Sequence, residues 1–339
     1  MARSYFDSCL RTAGVRCSLF LLAGLLLAGC AAATPDTGRS FDLQAHRGGR
    51  GLAPENTLDA FSNAIALGVD TLELDIGLSA DGVVVISHDM RLNPDHTRDA
   101  TGAWLAAAGP SLRTLTLQQL QSYDVGRIKP DSAYARQFAR QRPHDGERLP
   151  TLAQLFERVR AQPGAARVRF NIETKIDPTR PGDSAPPETM VRALLAEIDR
   201  AGMAQRVTIQ SFDWRTLALV AQLAPPLPRA YLTSARTLAD GRWTAGLQPA
   251  AFDSVPQLVK AAGGTGTLIW SPAFAELTPA LLREAHALGL QVLPWTVNQP
   301  ADMTRLIGWG VDGLITDYPD LLREAMRAGG LPLPAGALP

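Results

Sequence analysis

From residue 150 onward the chain repeats one pattern, in which an amphipathic stretch is followed by a short apolar run. Residues 151–162 read as a helix and 168–174 as a strand. The pairs 187–201 with 207–211 and 213–223 with 229–233 follow in the same order. After an irregular part, a helix near 255–261 precedes a strand at 267–270. Then come helix 278–288, strand 291–296, helix 301–309, strand 313–316 and a last helix at 318–328. Upstream, 41–45 and 71–79 read as strands, with an amphipathic helix opened by Glu55-Asn56-Thr57 between them. Strands alternating with helices at this spacing are units of a parallel sheet. The run 83–87 follows 71–79 too closely for a crossover helix, so one of the nine strand candidates is an antiparallel addition. Eight remain. They predict the α/β class and a (β/α)8 TIM barrel, with a hairpin and an inserted segment after the second strand region. Such a barrel carries its reactive groups at the carboxyl ends of its strands.

The 339 residues are 46% hydrophobic and 19% charged, which fits a globular chain and excludes a disordered one. Lys plus Arg and Asp plus Glu both number 33, so nothing argues for nucleic acid as a partner. At the start, Arg3, Arg11 and Arg16 precede the apolar run LFLLAGLLLA at 19–28, too short for a membrane span. Leu27-Ala28-Gly29-Cys30 resembles a bacterial lipoprotein cleavage box. The resemblance implies a signal peptide at 1–29, lipid attachment at Cys30, and a tether at 30–40. Ordinary secretion with an incidental cysteine is the alternative. A membrane partner through Cys30 follows, in the bacterial cell envelope. Ala31 after the cysteine points to the outer membrane, facing the periplasm. Of the three cysteines, Cys9 and Cys17 lie in the segment to be removed, so stability rests on a core rather than on disulfides. The barrel is expected over 41–328, with GGLPLPAGALP at 329–339 as a disordered tail.

Residues 89–149 break the alternation. They hold a helix near 116–123 and the polar, Arg-rich stretch DVGRIKPDSAYARQFARQRPHDGER, with little core material. A segment of that length is either a loose surface insertion or a cap that selects substrate.

Polar residues gather where the strands end: His46-Arg47, Glu73 and Asp75, Glu173 and Lys175, Gln210, Trp295 to Asn298, and Asp317. Asp81-Gly82 is a strong signal for a two-residue hairpin loop. That loop pairs Ala80 with Val83, Ile76 with Ser87 and Asp75 with His88, and the two-residue period adds Glu73 to the same face. Glu73, Asp75 and Glu173 form an acidic set that needs a cation or proton between them. With no cysteine pair or His-x-x-x-His spacing, the oxygens favour Ca²⁺ or Mg²⁺. Lys175 shares the face of Glu173 and suits a phosphate oxygen, as does the fixed fork of Arg47. His46 and His88 suit acid and base work. Gly48, Gly49 and Gly51 suit a loop whose amides approach a ligand. His96, His144 and His286 are expected to take no catalytic part.

The stretches AHRGGRGLAPENTLDAF, ELDIGLSADGVVVISHD, LPTLAQLF, NIETK, IQSFDW, LPWTVN and GVDGLITDYPD resemble the glycerophosphodiester phosphodiesterase family, within the phosphatidylinositol-phospholipase-C-like barrels. The resemblance runs from residue 44 to about 322. It implies a barrel with one divalent cation, Ca²⁺ or Mg²⁺, held by Glu73, Asp75 and Glu173. It also implies an acid/base pair in His46 and His88, phosphate contacts from Arg47 and Lys175, and an aromatic, Trp295, against the glycerol. Glu55 lies near the metal in such proteins, although its place at a helix start explains it equally. The segment DMRLNPDHTRDATG and the long insertion depart from the pattern. The implied activity is hydrolysis of a glycerophosphodiester to glycerol 3-phosphate and an alcohol. The alternatives are a lysophospholipase-D-like phosphodiesterase, favoured if 125–148 builds an apolar lid, and a surface lipoprotein that binds without turnover.

Overall fold

The computed structural model describes residues 41–336. The expected signal peptide, the tether and Cys30 lie outside the described residues. The strands are β1 (Asp42–Ala45), β2 (Thr71–Leu78), β3 (Val84–Ile86), β4 (Arg169–Thr174), β5 (Val207–Ser211), β6 (Arg229–Thr233), β7 (Leu268–Pro272), β8 (Gln291–Val292) and β9 (Gly313–Thr316). The helices are α1 (Leu58–Leu67), α2 (Leu117–Leu120), α3 (Ala133–Gln137), α4 (Leu152–Ala161), α5 (Pro187–Arg200), α6 (Trp214–Leu223), α7 (Ala235–Leu238), α8 (Val255–Gly263), α9 (Pro279–Ala287), α10 (Pro300–Trp309) and α11 (Pro319–Ala328). The sheet order is β8-β7-β6-β5-β4-β2-β1-β9, all parallel, with β3 added antiparallel to β2. Asp312 N donates to Val292 O at 3.1 Å and Ile315 N to Pro294 O at 3.1 Å, so the two ends meet in a nearly closed barrel. This is the eight-stranded α/β barrel that the alternation predicts.

Local chemistry accounts for the helix boundaries. Thr57 caps α1 by accepting Ala60 N, and Gly68 ends it in the left-handed region. Thr151 and Gln154 form a capping box at the start of α4. Along β2 the period of two sends Leu72, Leu74 and Ile76 outward into the core beneath the helices. It sends Glu73 and Asp75 into the barrel, where both are buried. Below them the interior is polar and hydrogen-bonded, apart from Asn171 Oδ1. Asn171 Nδ2 donates to Gln44 Oε1 at 2.8 Å and Gln210 Oε1 at 3.0 Å, and Gln210 Nε2 donates to Glu73 Oε1 at 2.5 Å.

The hairpin differs from the expected register by one residue. Ile76 pairs with Ile86 and Leu78 with Val84, so Asp75 lies opposite Ser87 rather than His88. The loop has three residues, not two: Gly82 N donates to Ser79 O at 3.0 Å, and Gly82 closes the turn at φ 78°. Ser79 Oγ donates to Asp81 Oδ1 at 2.6 Å and accepts Val83 N at 3.0 Å, which favours the longer turn. β8 stops at Val292, short of the expected 296: Leu293 N and Trp295 N still donate to Trp270 O and Pro272 O at 3.0 Å, but Pro272 of β7 has no N–H to return to Leu293 O, which takes Ser271 Oγ instead. The peptide between Trp295 and Thr296 is cis.

The insertion is ordered and has a core of its own. Leu92, Leu112, Leu120, Val125 and Leu149 pack on Val85 of β3. Its apolar residues are too widely spaced to show a period, which is why the sequence reads as poor in core material. The stretch expected to be a disordered tail is placed as far as residue 336. Leu331 and Leu333 pack against the core, and Arg323 Nη1 donates to Pro334 O at 2.9 Å.

Candidate active site

Register assembles the acidic group. β2 and β4 are parallel neighbours with Glu73 opposite Asn171 and Asp75 opposite Glu173. The inward residues of two adjacent strands therefore fall together, and ligand oxygens of Glu73, Asp75 and Glu173 lie within 4.8 Å of one another. All three are buried. Burial, with Asp75 and Glu173 close by, pushes the Glu73 carboxyl well above its usual range. Burial takes Glu173 to about 7 despite Lys175. Burial would raise Asp75 too, but Lys175, His88 and Arg47 hold it well below the usual range. Asp75 Oδ1 is buried without a hydrogen-bond partner. Crowded carboxylates of mixed protonation and an orphaned buried oxygen fit a hard divalent cation, whose preferred donors are oxygens.

The cations follow from the same strand ends. Lys175 Nζ lies 2.8 Å from Glu173 Oε1 and 3.6 Å from Asp75 Oδ1. Arg47 sits at φ 53°, a conformation that turns its N–H onto Glu73 Oε2 at 2.9 Å. Its guanidinium reaches Glu55 Oε1 at 2.9 Å and Asp75 Oδ2 at 3.4 Å. Glu55 is thus a partner of Arg47, and Asn56, also at positive φ, donates to Asp75 Oδ2 at 3.0 Å. The glycines serve packing rather than the expected ligand cradle. A Cβ on Gly48 would lie 2.9 Å from the Ala60 Cβ, and one on Gly51 2.3 Å from the Tyr318 ring. The Gly49 and Gly51 amides are spent on His46 O and Asp317 O.

Both histidines face the site, each held from behind. β1 and β9 pair Ala45 with Thr316, which brings His46 beside Asp317. His46 Nδ1 lies 2.6 Å from Asp317 Oδ1. Burial opposes ionisation of Asp317, but His46 and Arg50 hold its carboxyl well below the usual range. An ionised carboxylate only accepts, so Nδ1 carries the proton. Nε2 is left bare, 3.9 Å from Glu73 Oε2. His88 repeats the arrangement. Its Nδ1 lies 2.9 Å from Asp89 Oδ1, and Asn93 Nδ2 donates to Asp89 Oδ2 at 2.6 Å. Desolvation lowers both imidazoles, His46 to about 4, which leaves His46 neutral near pH 7.

His46, Arg47, Glu73, His88, Glu173, Lys175 and Trp295 all line one cavity of about 110 Å³. Trp295 packs edge-on to Phe212 at 5.3 Å. A larger cavity of about 810 Å³ shares His88, Lys175, Phe212 and Trp295 and runs on past Met90 and Ile176. Asp89, Arg50, Asn56 and Phe212 are site residues that the sequence does not single out as such. Asp317 and Gln210 showed only as polar strand ends. Asp89 follows His88 directly, which is a signal in itself. The His96 side chain is largely enclosed. Its Nε2 is buried 3.7 Å from Asp89 Oδ2 and 4.0 Å from Glu55 Oε1. His286 pairs with Asp312 at 2.8 Å, and His144 lies 3.1 Å from Asp59, both away from these cavities.

Residues 46–321 match the profile of the Glycerophosphoryl diester phosphodiesterase family. A glycerophosphodiester phosphodiesterase of Bacillus subtilis (strain 168) is 30% identical over 285 residues, covering 84% of this chain and 85% of that protein. One from Caldanaerobacter subterraneus subsp. tengcongensis is 31% identical over 287 residues, covering 84% and 98%. The crystal structure of a proposed glycerophosphoryl diester phosphodiesterase from Silicibacter pomeroyi DSS-3 superposes with a TM-score of 0.78 at 36% identity. It covers 86% of this chain and 95% of that one.

Proposed function

This chain belongs to the glycerophosphoryl diester phosphodiesterase family and is an enzyme of that activity, and from that premise we propose that it works as a metal-dependent hydrolase with two histidines as acid and base. The products are glycerol 3-phosphate and an alcohol. One observation carries the reading: two imidazoles, each with Nδ1 on an aspartate, line one cavity with Glu73 and Glu173 of the buried carboxylate triad.

Glu73, Asp75 and Glu173 would hold the cation, Ca²⁺ or Mg²⁺, which when bound supplies polarisation of a phosphoryl oxygen and neutralises developing charge. Lys175 and Arg47 offer N–H donors to the remaining phosphate oxygens. One imidazole accepts a proton at Nε2 from the nucleophile as the new P–O bond forms; the nucleophile is water, or the substrate's own glycerol hydroxyl, in which case water then opens the resulting cyclic phosphate to glycerol 3-phosphate. The other, having taken up a proton, returns it to the alkoxide as the old P–O bond breaks. Asp317 and Asp89 keep each ring oriented and steady its imidazolium. Trp295 and Phe212 wall the glycerol, and the larger cavity takes the alcohol. A lysophospholipid is disfavoured as substrate, because among the described residues none of 125–148 lines that cavity as an apolar lid.

Release of glycerol 3-phosphate from a panel of glycerophosphodiesters, with and without chelator, tests the reading. His46→Ala and His88→Ala should each lose about 10²- to 10⁴-fold in kcat. Near-parental turnover in either variant removes the acid/base assignment. On sequence alone, we place the lipid anchor at Cys30 and the enzyme at the periplasmic face of the outer membrane. Cys30→Ser should shift the protein from the membrane fraction to the soluble one, and an unchanged distribution would overturn the anchor.

A further inference from the structure

Residues 134–142 of the insertion close around one side chain, Arg50. The Arg50 guanidinium lies 4.7 Å from the centroid of the Phe138 ring, and Tyr134 Oη is 3.3 Å from its Nη1. Gln141 Nε2 donates to Arg50 O at 2.7 Å, and Arg142 N to Leu52 O at 2.9 Å. Phe138 is 2% exposed and meets Tyr134 edge-on at 4.9 Å, so the two rings brace one another.

On its other side Arg50 Nε donates to Asp317 Oδ1 at 2.7 Å. That same oxygen receives His46 Nδ1. Asn298 Nδ2 holds the second oxygen, Oδ2, at 2.7 Å. The aspartate that orients His46 is thus itself oriented by two donors, and one of them is a long, rotamer-rich side chain. Fixing such a side chain in one rotamer costs conformational entropy. Arg50 also has a competing carboxylate, Glu55, at 3.8 Å. The Tyr134 hydroxyl occupies Glu55 Oε2, and the Phe138 face holds the guanidinium in place. Both contacts bias Arg50 toward Asp317.

We propose that Tyr134 and Phe138 are positioning residues of the catalytic centre: they keep Arg50 on Asp317 and thereby keep His46 in its working tautomer and orientation. The insertion then completes the site from outside the barrel, although neither ring lines the catalytic cavity. The inference rests on His46 serving as acid or base.

The test uses the full chain with Phe138→Ala, and with Tyr134→Phe as a variant that preserves the packing. The readouts are kcat and KM for glycerophosphocholine, together with ¹⁵N NMR of the histidine rings. Each substitution should lower kcat about tenfold and change KM by less than about twofold. Each should move the His46 ring-nitrogen signals and leave those of His286 in place. In an Arg50→Ala background, Phe138→Ala should cost nothing further. An equal loss with and without Arg50, or unmoved His46 signals in both variants, overturns the proposal. If the parent hydrolyses no diester, the functional reading fails, and the NMR arm still decides whether the rings position His46.

Discussion

His46 and His88 are built alike: an aspartate behind Nδ1, a bare Nε2 in front, and a side-chain amide behind the aspartate. Asp89 is the neighbour of His88 in the chain, so half of this design was legible from the sequence. Asp317 is 271 positions from His46, and only the pairing of β1 with β9 joins them. Asp317→Asn keeps the size but offers a donor where an acceptor is needed, so it favours the wrong tautomer. The expected result is a loss in kcat of about 10²-fold or more with metal affinity unchanged, read by turnover and by metal titration. Asp70, which accepts Leu43 N at 3.0 Å, shows a different residue-level effect. Burial, helped by Asp42, outweighs that hydrogen bond and raises the Asp70 carboxyl to about 6. The folded value exceeds the unfolded one, so this group's contribution to stability is present at low pH. It is lost as the pH rises from about 4 to about 6. Asp70→Asn should therefore melt at the parent's temperature at pH 4 and above it at pH 8. Equal melting temperatures at both pH values would show that the raised carboxyl has no effect on folding.

Among the elements, the strands carried their own signals. The two-residue period placed Glu73 and Asp75 on one face, and the β2–β4 register completed the triad. The Asp-Gly hairpin was recognised, but its length was not, because Ser79 and Asp81 stabilise a longer turn by side-chain hydrogen bonds. His88 reaches the site because the chain leaves β3 at Ile86, not because it pairs with Asp75. The insertion was the element least legible in the sequence. Its apolar positions are scattered, and they form a core only against Val85. Leu120 is fully buried there, so Leu120→Ala should cost about 2–5 kcal/mol, spent within the insertion. Limited proteolysis should then cut between α2 and α4 while the barrel's circular dichroism persists. Joint loss of both would show that insertion and barrel unfold as one unit.

For the molecule as a whole, the carboxylates of β2 and β4 crowd at the centre of the fold, and a cation bound there would relieve their repulsion. A cation at 100 times its Kd adds about 2.7 kcal/mol to stability. Ca²⁺ or Mg²⁺ should accordingly raise the Tm of chelated protein by several degrees, and Glu73→Gln should blunt the rise. A Tm indifferent to both ions would count against a metal at the triad. The barrel itself was written in the sequence, because helix and strand periodicities are set by near neighbours along the chain. So was the clustering of His46, Glu73, Glu173, Lys175 and Trp295 at the carboxyl ends of the strands, since the end of a strand is a local fact. Tertiary structure alone decided which aspartate serves His46, where the insertion lies, and that Arg50 links the two. Those contacts join residues far apart in the chain, and strand order, register and barrel closure determine which distant side chains become neighbours.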